Sequence, residues 1–461
     1  MQKTMQTKPT LGFFELASCH GCEQQVFNAD LKLLDVFNQV DIAYWPKMTS
    51  RNVPTELDIS VVEGAIETPE QEDFIKELRE CSKTIIALGA CACGLNNVPE
   101  GVEPKYKSVS DVVKVDFFVR CCPIDTDNFI NVLQKAIGGR NTFVSTAALC
   151  GECKSNEKSC FFSCGKLCAG LVSVCGCDAL CTRLNKQCRG CSGVSRSACM
   201  QTAFDNANKI VEGDGEQEFC QFLDVCSVDR LLNKDLEGLE GDDAVFVASR
   251  FDGENSQECS LCAIKTLEQS ENISPDERTQ ALRECLTLAS RAQNHITSLF
   301  LVDLRKIYGH AGVQEFADKE NNLVVKALEL RHVFTEILEE VGGRAVHPIT
   351  CEVGGFSVNV PNAVLCDLKN KLEAQTDFAV SLIDRFASVW EQSTLGETDT
   401  TALTRVLENW DDLTDDARFG AAKAGLRPPE TDVRKECVAR AIEVVDAINR
   451  IDEHLTKIIS V

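Results

Sequence analysis

This sequence is short of positive charge, of histidine and of long apolar runs, and each shortage excludes something. Its 461 residues carry 47 Lys+Arg against 71 Asp+Glu, a formal net charge of −24. A chain this acidic lacks the basic footprint that phosphate backbones require, so no nucleic-acid partner is expected. No stretch approaches the roughly 20 apolar residues that span a bilayer, so no transmembrane segment is expected. The opening residues, MQKTMQTKPTLGFF, show no long apolar core, small-residue cleavage site or twin arginine. A cytoplasmic location is therefore the expectation. Only 6 His are present, which points away from His-rich zinc or copper sites.

What the chain has in excess is cysteine, 26 in all. Its hydrophobic fraction of 44% and charged fraction of 26% are those of an ordinary globular protein long enough for two or three domains. In a large chain without an export signal, thiols at close and regular spacing point to metal rather than disulfides. Iron–sulfur chemistry then ranks above zinc.

Seventeen of the cysteines fall between Cys19 and Cys191 and nine between Cys199 and Cys437. Apolar runs of strand length occur at Leu11–Leu16, Ile59–Val62, Thr84–Leu88 and Asp116–Val119. Helical stretches such as Glu70–Glu80 and Thr126–Ile137 lie between and after them. The alternation predicts a parallel sheet with helices on its faces over residues 1–146. Residues 147–211 follow as a cysteine-rich segment that cannot build a conventional core and needs bound metal to organise it. An acidic linker is expected at 212–243, and a mainly helical domain over 244–461. There Ser274 and Pro275 open a helix continuing through Arg278–Ile307, and Leu323–Val341 is stopped by Gly342 and Gly343. Asp367–Trp390 and Val438–Ile459 read as further helices.

Four features of the first domain belong together: ASCHGCE with Cys19 and Cys22, VVEGAI with Glu63, ALGACACG with Cys91, and VRCCPID with Cys122 before Pro123. Each cysteine site follows a strand-like run, so all converge at the carboxyl ends of a parallel sheet, where such sheets place ligands. Four thiolates meeting at one point are what a [4Fe–4S] cube requires. These motifs resemble the small subunit of [NiFe] hydrogenases and its relative in respiratory complex I. The resemblance implies a flavodoxin-like α/β domain and assigns a proximal [4Fe–4S] cluster to Cys19, Cys22, Cys91 and Cys122. Cys93 and Cys121 are then extra.

The next segment, with Cys150, Cys153, Cys160, Cys168, Cys177, Cys181, Cys188 and Cys191, resembles the two-cluster tail of cytoplasmic small subunits in deazaflavin-reducing and heterodisulfide-reductase-linked hydrogenases. It implies two further [4Fe–4S] clusters and leaves open which four cysteines serve which. Cys164 and Cys175 lie off the pattern. Zinc knots are the competing reading of so dense a segment.

Residues 245–455 resemble a hydrogenase large subunit, mainly through Gly342, Gly343, Arg344, His347 and Pro348 and the CEVGGF run that follows. Such a subunit holds nickel and iron through two C-x-x-C pairs. Where the first would stand, the sequence reads Arg250, Phe251, Asp252, Gly253, Glu254, Asn255, and a second pair near the end is missing. An oxygen ligand and an amide do not replace soft thiolates, so no Ni–Fe centre and no H2 cleavage are expected. Cys259 and Cys262 supply only two thiols, and His347 reads as packing or capping a turn.

The resulting expectation is a fused chain that transfers electrons through three [4Fe–4S] clusters inside a hetero-oligomeric oxidoreductase complex. Its implied partners are flavin/iron–sulfur subunits of the heterodisulfide-reductase type, or a ferredoxin. The alternative is an enzyme that uses the vacated large-subunit cavity to reduce or oxidise a small molecule such as a quinone.

Overall fold

The computed structural model of the chain describes residues 8–94, 105–140, 147–154, 159–303, 310, 312–391 and 433–460. Strands β1 (Thr10–Glu15), β2 (Asp41–Tyr44), β3 (Leu57–Glu63), β4 (Ser82–Leu88) and β5 (Phe117–Val119) form one sheet in the order β2-β1-β3-β4-β5. Every neighbouring pair is parallel. This is the flavodoxin-like order, whose ligand site lies where β1 and β3 send their chains in opposite directions. Four of the five strands are those the apolar runs predict. The fifth, β2, escapes notice because DIAY is a four-residue edge strand in which only Ile42 and Ala43 are buried.

Helices cover both faces, so β3 is buried along almost its whole length, as a parallel sheet demands. The helix Pro69–Cys81 starts on a capping box between Thr68 and Gln71, with Pro at its first position. Thr126–Ile137 starts where Asp125 accepts from the Asn128 amide.

Among its described residues the cysteine-dense segment has short turns at Cys150–Cys153, Phe162–Cys164, Ala169–Leu171 and Leu180–Arg183, followed by the helix Met200–Ala207. Residues 212–243, expected as a linker, instead carry the helices Gly215–Asp224 and Val228–Asn233. Asp214 caps the first, and Phe219, Phe222 and Leu223 recur at helical spacing to pack beside Ala203 and Ala207. Acidic residues on the exposed face disguise that apolar stripe.

Beyond it the chain is helical. Glu277–Thr297 is the central rod, packed against Asn321–Gly342 and Val433–Ile459. The long helix expected at Arg278–Ile307 ends as α-helix at Thr297 and widens over Ser298–Asp303. Its expected last residues, and the large-subunit-like run at 417–429, lie outside the described residues. The stretch expected as Asp367–Trp390 is two helices, Asn362–Glu373 and Thr376–Glu391.

The two halves are joined by buried polar contacts. Arg331, 1% exposed, donates to Asp30 Oδ1 at 2.7 Å, to Asn28 Oδ1 at 2.7 Å and to the Phe27 carbonyl at 3.0 Å. Gln314 pairs with the edge of β2 through the Ile42 amide at 2.9 Å. Among the described residues no helix is long and apolar enough to cross a membrane.

Candidate metal centre

Because β1, β3, β4 and β5 are parallel neighbours, whatever follows them emerges along one edge. Cys19 sits in the loop after β1, Cys22 in the first turn of Gly21–Phe27, Cys91 in the turn Gly89–Cys93 after β4, and Cys122 beyond β5. They share one buried neighbourhood. Burial first, then the charges of Glu63 and Cys122, raises the Cys22 thiol well above the ordinary range, and burial, then Cys122 and Cys19, does the same to Cys91. Burial, then Cys122 and Glu63, do the same to Cys19. Thiols in such a place lose their protons only to a bound metal.

Glu63 ends β3 and explains how the Cys19–Cys22 loop is held. Its carboxylate accepts from the amides of Cys22 at 3.1 Å and Glu23 at 2.8 Å, so it caps the following helix from across the sheet. Burial raises this carboxyl to about 7. Gly89 is needed at φ 83°, and a Cβ there would lie 2.5 Å from Cys22 Sγ.

The sulfur spacing bears on zinc. A tetrahedral zinc site with Zn–S of about 2.3 Å holds its sulfurs about 3.8 Å apart. Among the described residues, no three cysteine sulfurs lie within 4.8 Å of one another. The donor set is all thiol, the ligand type that a [4Fe–4S] cube takes.

The tail cysteines fall into two neighbourhoods. Cys150 feels Cys153 and Cys160, and Cys168 feels Cys150 and Cys153. Gly170 lies against this group, for a Cβ there would be 3.5 Å from Cys150 Sγ and 3.7 Å from Cys168 Sγ. Cys177, Cys181, Cys188 and Cys191 line a small cavity with Arg344. Cys188 also borders Cys168, so it touches both groups.

Three residues of the helical half complete the surroundings. Arg250 donates through Nε to Cys122 Sγ at 3.3 Å and through an NH2 group to the Cys122 carbonyl at 3.2 Å. Arg344 reaches the same carbonyl at 3.2 Å and Cys181 Sγ at 3.6 Å. His347, wholly buried at φ 56°, places Nδ1 2.7 Å from the Ser249 carbonyl and Nε2 3.5 Å from Cys19 Sγ. A carbonyl only accepts, so Nδ1 carries the proton. Burial, then the Arg250 charge, hold this imidazole neutral, its pKa well below the usual value. The sequence pattern marks the stretch around His347 but reads as a packed turn; nothing local says that it faces Cys19.

The loop Arg250–Asn255 lies flush on the Cys19–Cys22 loop. The Gly253 amide donates to the Cys19 carbonyl at 2.7 Å, and a Cβ on Gly253 would lie 2.3 Å from Gly21 Cα. Asp252 is occupied locally, accepting from the amides of Glu254 and Asn255 and from the Asn255 side chain. Cys259 and Cys262 share one helix, and among the described residues they belong to no group of three Cys, His, Asp or Glu whose ligand atoms all lie within 4.8 Å of one another. Beside Cys19 opens a cleft of about 450 Å³, bordered by Glu15, His20, Lys47, Lys234, Asp252 and Glu254.

Residues 19–136, which contain the four strand-end cysteines, match the family described as NADH ubiquinone oxidoreductase, 20 Kd subunit. The delta subunit of sulfhydrogenase 2 from Pyrococcus furiosus is 31% identical over 220 residues, which are 44% of this chain and 93% of that protein. The chain belongs to the hydrogenase small-subunit family. The gamma subunit of coenzyme F420 hydrogenase from Methanococcus voltae is 25% identical over 222 residues, covering 42% of this chain and 84% of that protein. The iron-sulfur subunit of the F420-non-reducing hydrogenase of Archaeoglobus profundus is 23% identical over 261 residues, 40% of this chain and 81% of that protein. This small-subunit-type chain therefore extends well beyond the part its relatives match. The comparisons support an iron–sulfur oxidoreductase component resembling the subunits of multi-subunit hydrogenases.

Proposed function

We propose that this chain carries single electrons through three [4Fe–4S] clusters within a larger oxidoreductase assembly and does not itself cleave H2. The observation that carries the reading is the convergence of Cys19, Cys22, Cys91 and Cys122 at the carboxyl edge of the sheet, with a second thiol group adjoining it through Arg344. The first cluster is held by those four residues. The second and third are held by Cys177, Cys181, Cys188 and Cys191 and by Cys150, Cys153, Cys160 and Cys168. What the clusters supply is one-electron storage; the protein supplies burial and donors that set their potentials. The partners are flavin/iron–sulfur subunits of the heterodisulfide-reductase type or a ferredoxin, and the location is cytoplasmic.

The helical half serves as a lid in this reading. Its loop Arg250–Asn255 and His347 pack on the Cys19–Cys22 loop, so they cover part of the first cluster and leave it open only along the cleft beside Cys19. Asp252 and Asn255 bond to each other, and neither offers the soft sulfur that a Ni–Fe centre needs. The cleft beside Cys19 favours one alternative, reduction or oxidation of a small molecule there. Its charged border suits a polar molecule better than a quinone.

The test is iron, sulfide, nickel and zinc content of anaerobically purified protein, followed by EPR of the reduced sample. About twelve iron per chain without nickel is the expected result for three [4Fe–4S] clusters. Stoichiometric nickel overturns the absence of H2 chemistry, and zinc in place of iron overturns the redox role.

A further inference from the structure

This inference rests on the cluster reading and adds to it a counter-charge supplied by the helical half. Gly343 closes the helix Asn321–Gly342 at φ 77°, and a Cβ there would lie 2.7 Å from Leu184 Cδ1. Only glycine both takes that conformation freely and lets the helix end come so close to the tail segment. The next residue, Arg344, is thereby carried against the tail cysteines. Its own carbonyl is held by Gln257 Nε2 at 3.3 Å.

The small cavity bordered by Cys177, Cys181, Cys188 and Cys191 has three cations in its wall, Lys186, Arg189 and Arg344. Lys186 is neutralised by Asp242 and Glu352, each at 2.7 Å, and Arg189 by Asp243. Arg344, 9% exposed, pairs with no carboxylate among the described residues. Its Nη1 donates to the Cys122 carbonyl at 3.2 Å and its Nη2 to Cys181 Sγ at 3.6 Å. A carbonyl dipole and a neutral thiol do not balance a full charge, and a buried cation without a counter-ion is costly.

Arg250 repeats the arrangement on the strand-end side, reaching Cys122 Sγ at 3.3 Å and the same Cys122 carbonyl at 3.2 Å. One carbonyl between the two cysteine groups therefore accepts from two guanidiniums, each of which also reaches a sulfur of a different group. Two cations so placed repel unless each faces an anion. Four thiolates outweigh the positive charge of the cube they hold, so a loaded site is such an anion.

We propose that Arg344 is a positioning residue that acts as counter-charge to the tail cluster held by Cys177, Cys181, Cys188 and Cys191, through its hydrogen bond to Cys181, and raises that cluster's potential. Reduction adds one electron and one negative charge to the cluster, and no bond is made or broken. A fixed cation on a ligand sulfur favours the more negative state. The helical half thus sets the potential of a cluster that the other half ligates.

The test uses the full chain, purified anaerobically, with iron content and EPR-monitored redox titration as readouts. Arg344→Met removes the charge and keeps an unbranched side chain, and Arg344→Lys keeps the charge. Arg250→Met, which takes the cation from Cys122, marks the strand-end cluster for comparison. In Arg344→Met the reduction equilibrium of the tail cluster is expected to fall about tenfold, about 59 mV more negative for one electron. The strand-end cluster moves less, and Arg344→Lys lies close to the wild type. Loss of about four iron in Arg344→Met, with full iron in Arg344→Lys, also supports the counter-charge. Loss of that iron in both variants overturns the proposal by making the role one of shape. An unchanged tail midpoint in Arg344→Met, or an equal shift of both clusters, overturns it as well. A wild-type chain without iron overturns the cluster reading itself, a result distinct from these.

Discussion

Arg250 and Cys122, 128 residues apart in sequence, meet at 3.3 Å between Nε and Sγ. The guanidinium also donates to the carbonyl of Phe246 and the hydroxyl of Ser249, and its face lies over the Phe246 ring. A buried cation is thereby aimed at a thiol of the strand-end group.

Arg250→Met is expected to leave the fold in place and lower the strand-end cluster's midpoint, since a positive charge that favours the reduced state is gone. Breaking a buried charged contact of this kind costs about 3 kcal/mol. Redox titration of the variant beside Arg250→Lys, which keeps the charge, checks the direction. An unshifted midpoint in Arg250→Met refutes it.

Gly253 lies so close to Gly21 that even a methyl group does not fit, at 2.3 Å from the Gly21 Cα. Gly253→Ala must lift the covering loop from Cys19. Overpacking of this kind costs about 1–3 kcal/mol. The EPR signal of the strand-end cluster should decay faster in air than in the wild type, and equal decay rates exclude the lid role.

Arg331 and Asp30 pair at 2.7 Å with side chains 1% and 5% exposed. Asp30→Asn leaves the guanidinium buried without its counter-charge. A loss of about 3–5 kcal/mol is expected in denaturant unfolding. If the halves unfold independently, the transition also splits in two.

Glu258 is partly buried beside Ser290 and Arg291, and burial raises its carboxyl to about 7. The sign follows from proton binding. Between the ordinary carboxylate value of 4.5 and about 7 the folded chain binds more protons than the unfolded one, so stability falls as pH rises through that window. Glu258→Gln should match the wild type near pH 5 and exceed it by roughly 2 kcal/mol near pH 8. Denaturation midpoints at the two pH values decide it, and parallel losses in both proteins refute it.

The first domain was legible because its signals are local. Leu11–Leu16, Ile59–Val62 and Thr84–Leu88 are apolar and β-branched, and a parallel sheet sends the residues after each to the same edge. The grouping of Cys19, Cys22, Cys91 and Cys122 therefore follows from strand order alone. Residues 212–243 were misleading for the opposite reason. Their charge suggested a linker, and the packing of Phe219, Phe222 and Leu223 depends on Ala203 and Ala207 in another helix.

By itself the sequence determined the sheet, the strand-end cysteines and the thiol-rich tail, because strand propensity and motif spacing act over a few residues. Only the tertiary structure decided that Arg250, Arg344 and His347 pack against those thiols and that Cys121 meets Ser192. Such contacts arise when the helical half packs on the sheet edge. They join residues up to 328 positions apart, as Cys19 and His347 are. No local pattern encodes a contact over that separation; it exists only once both halves have buried their apolar faces.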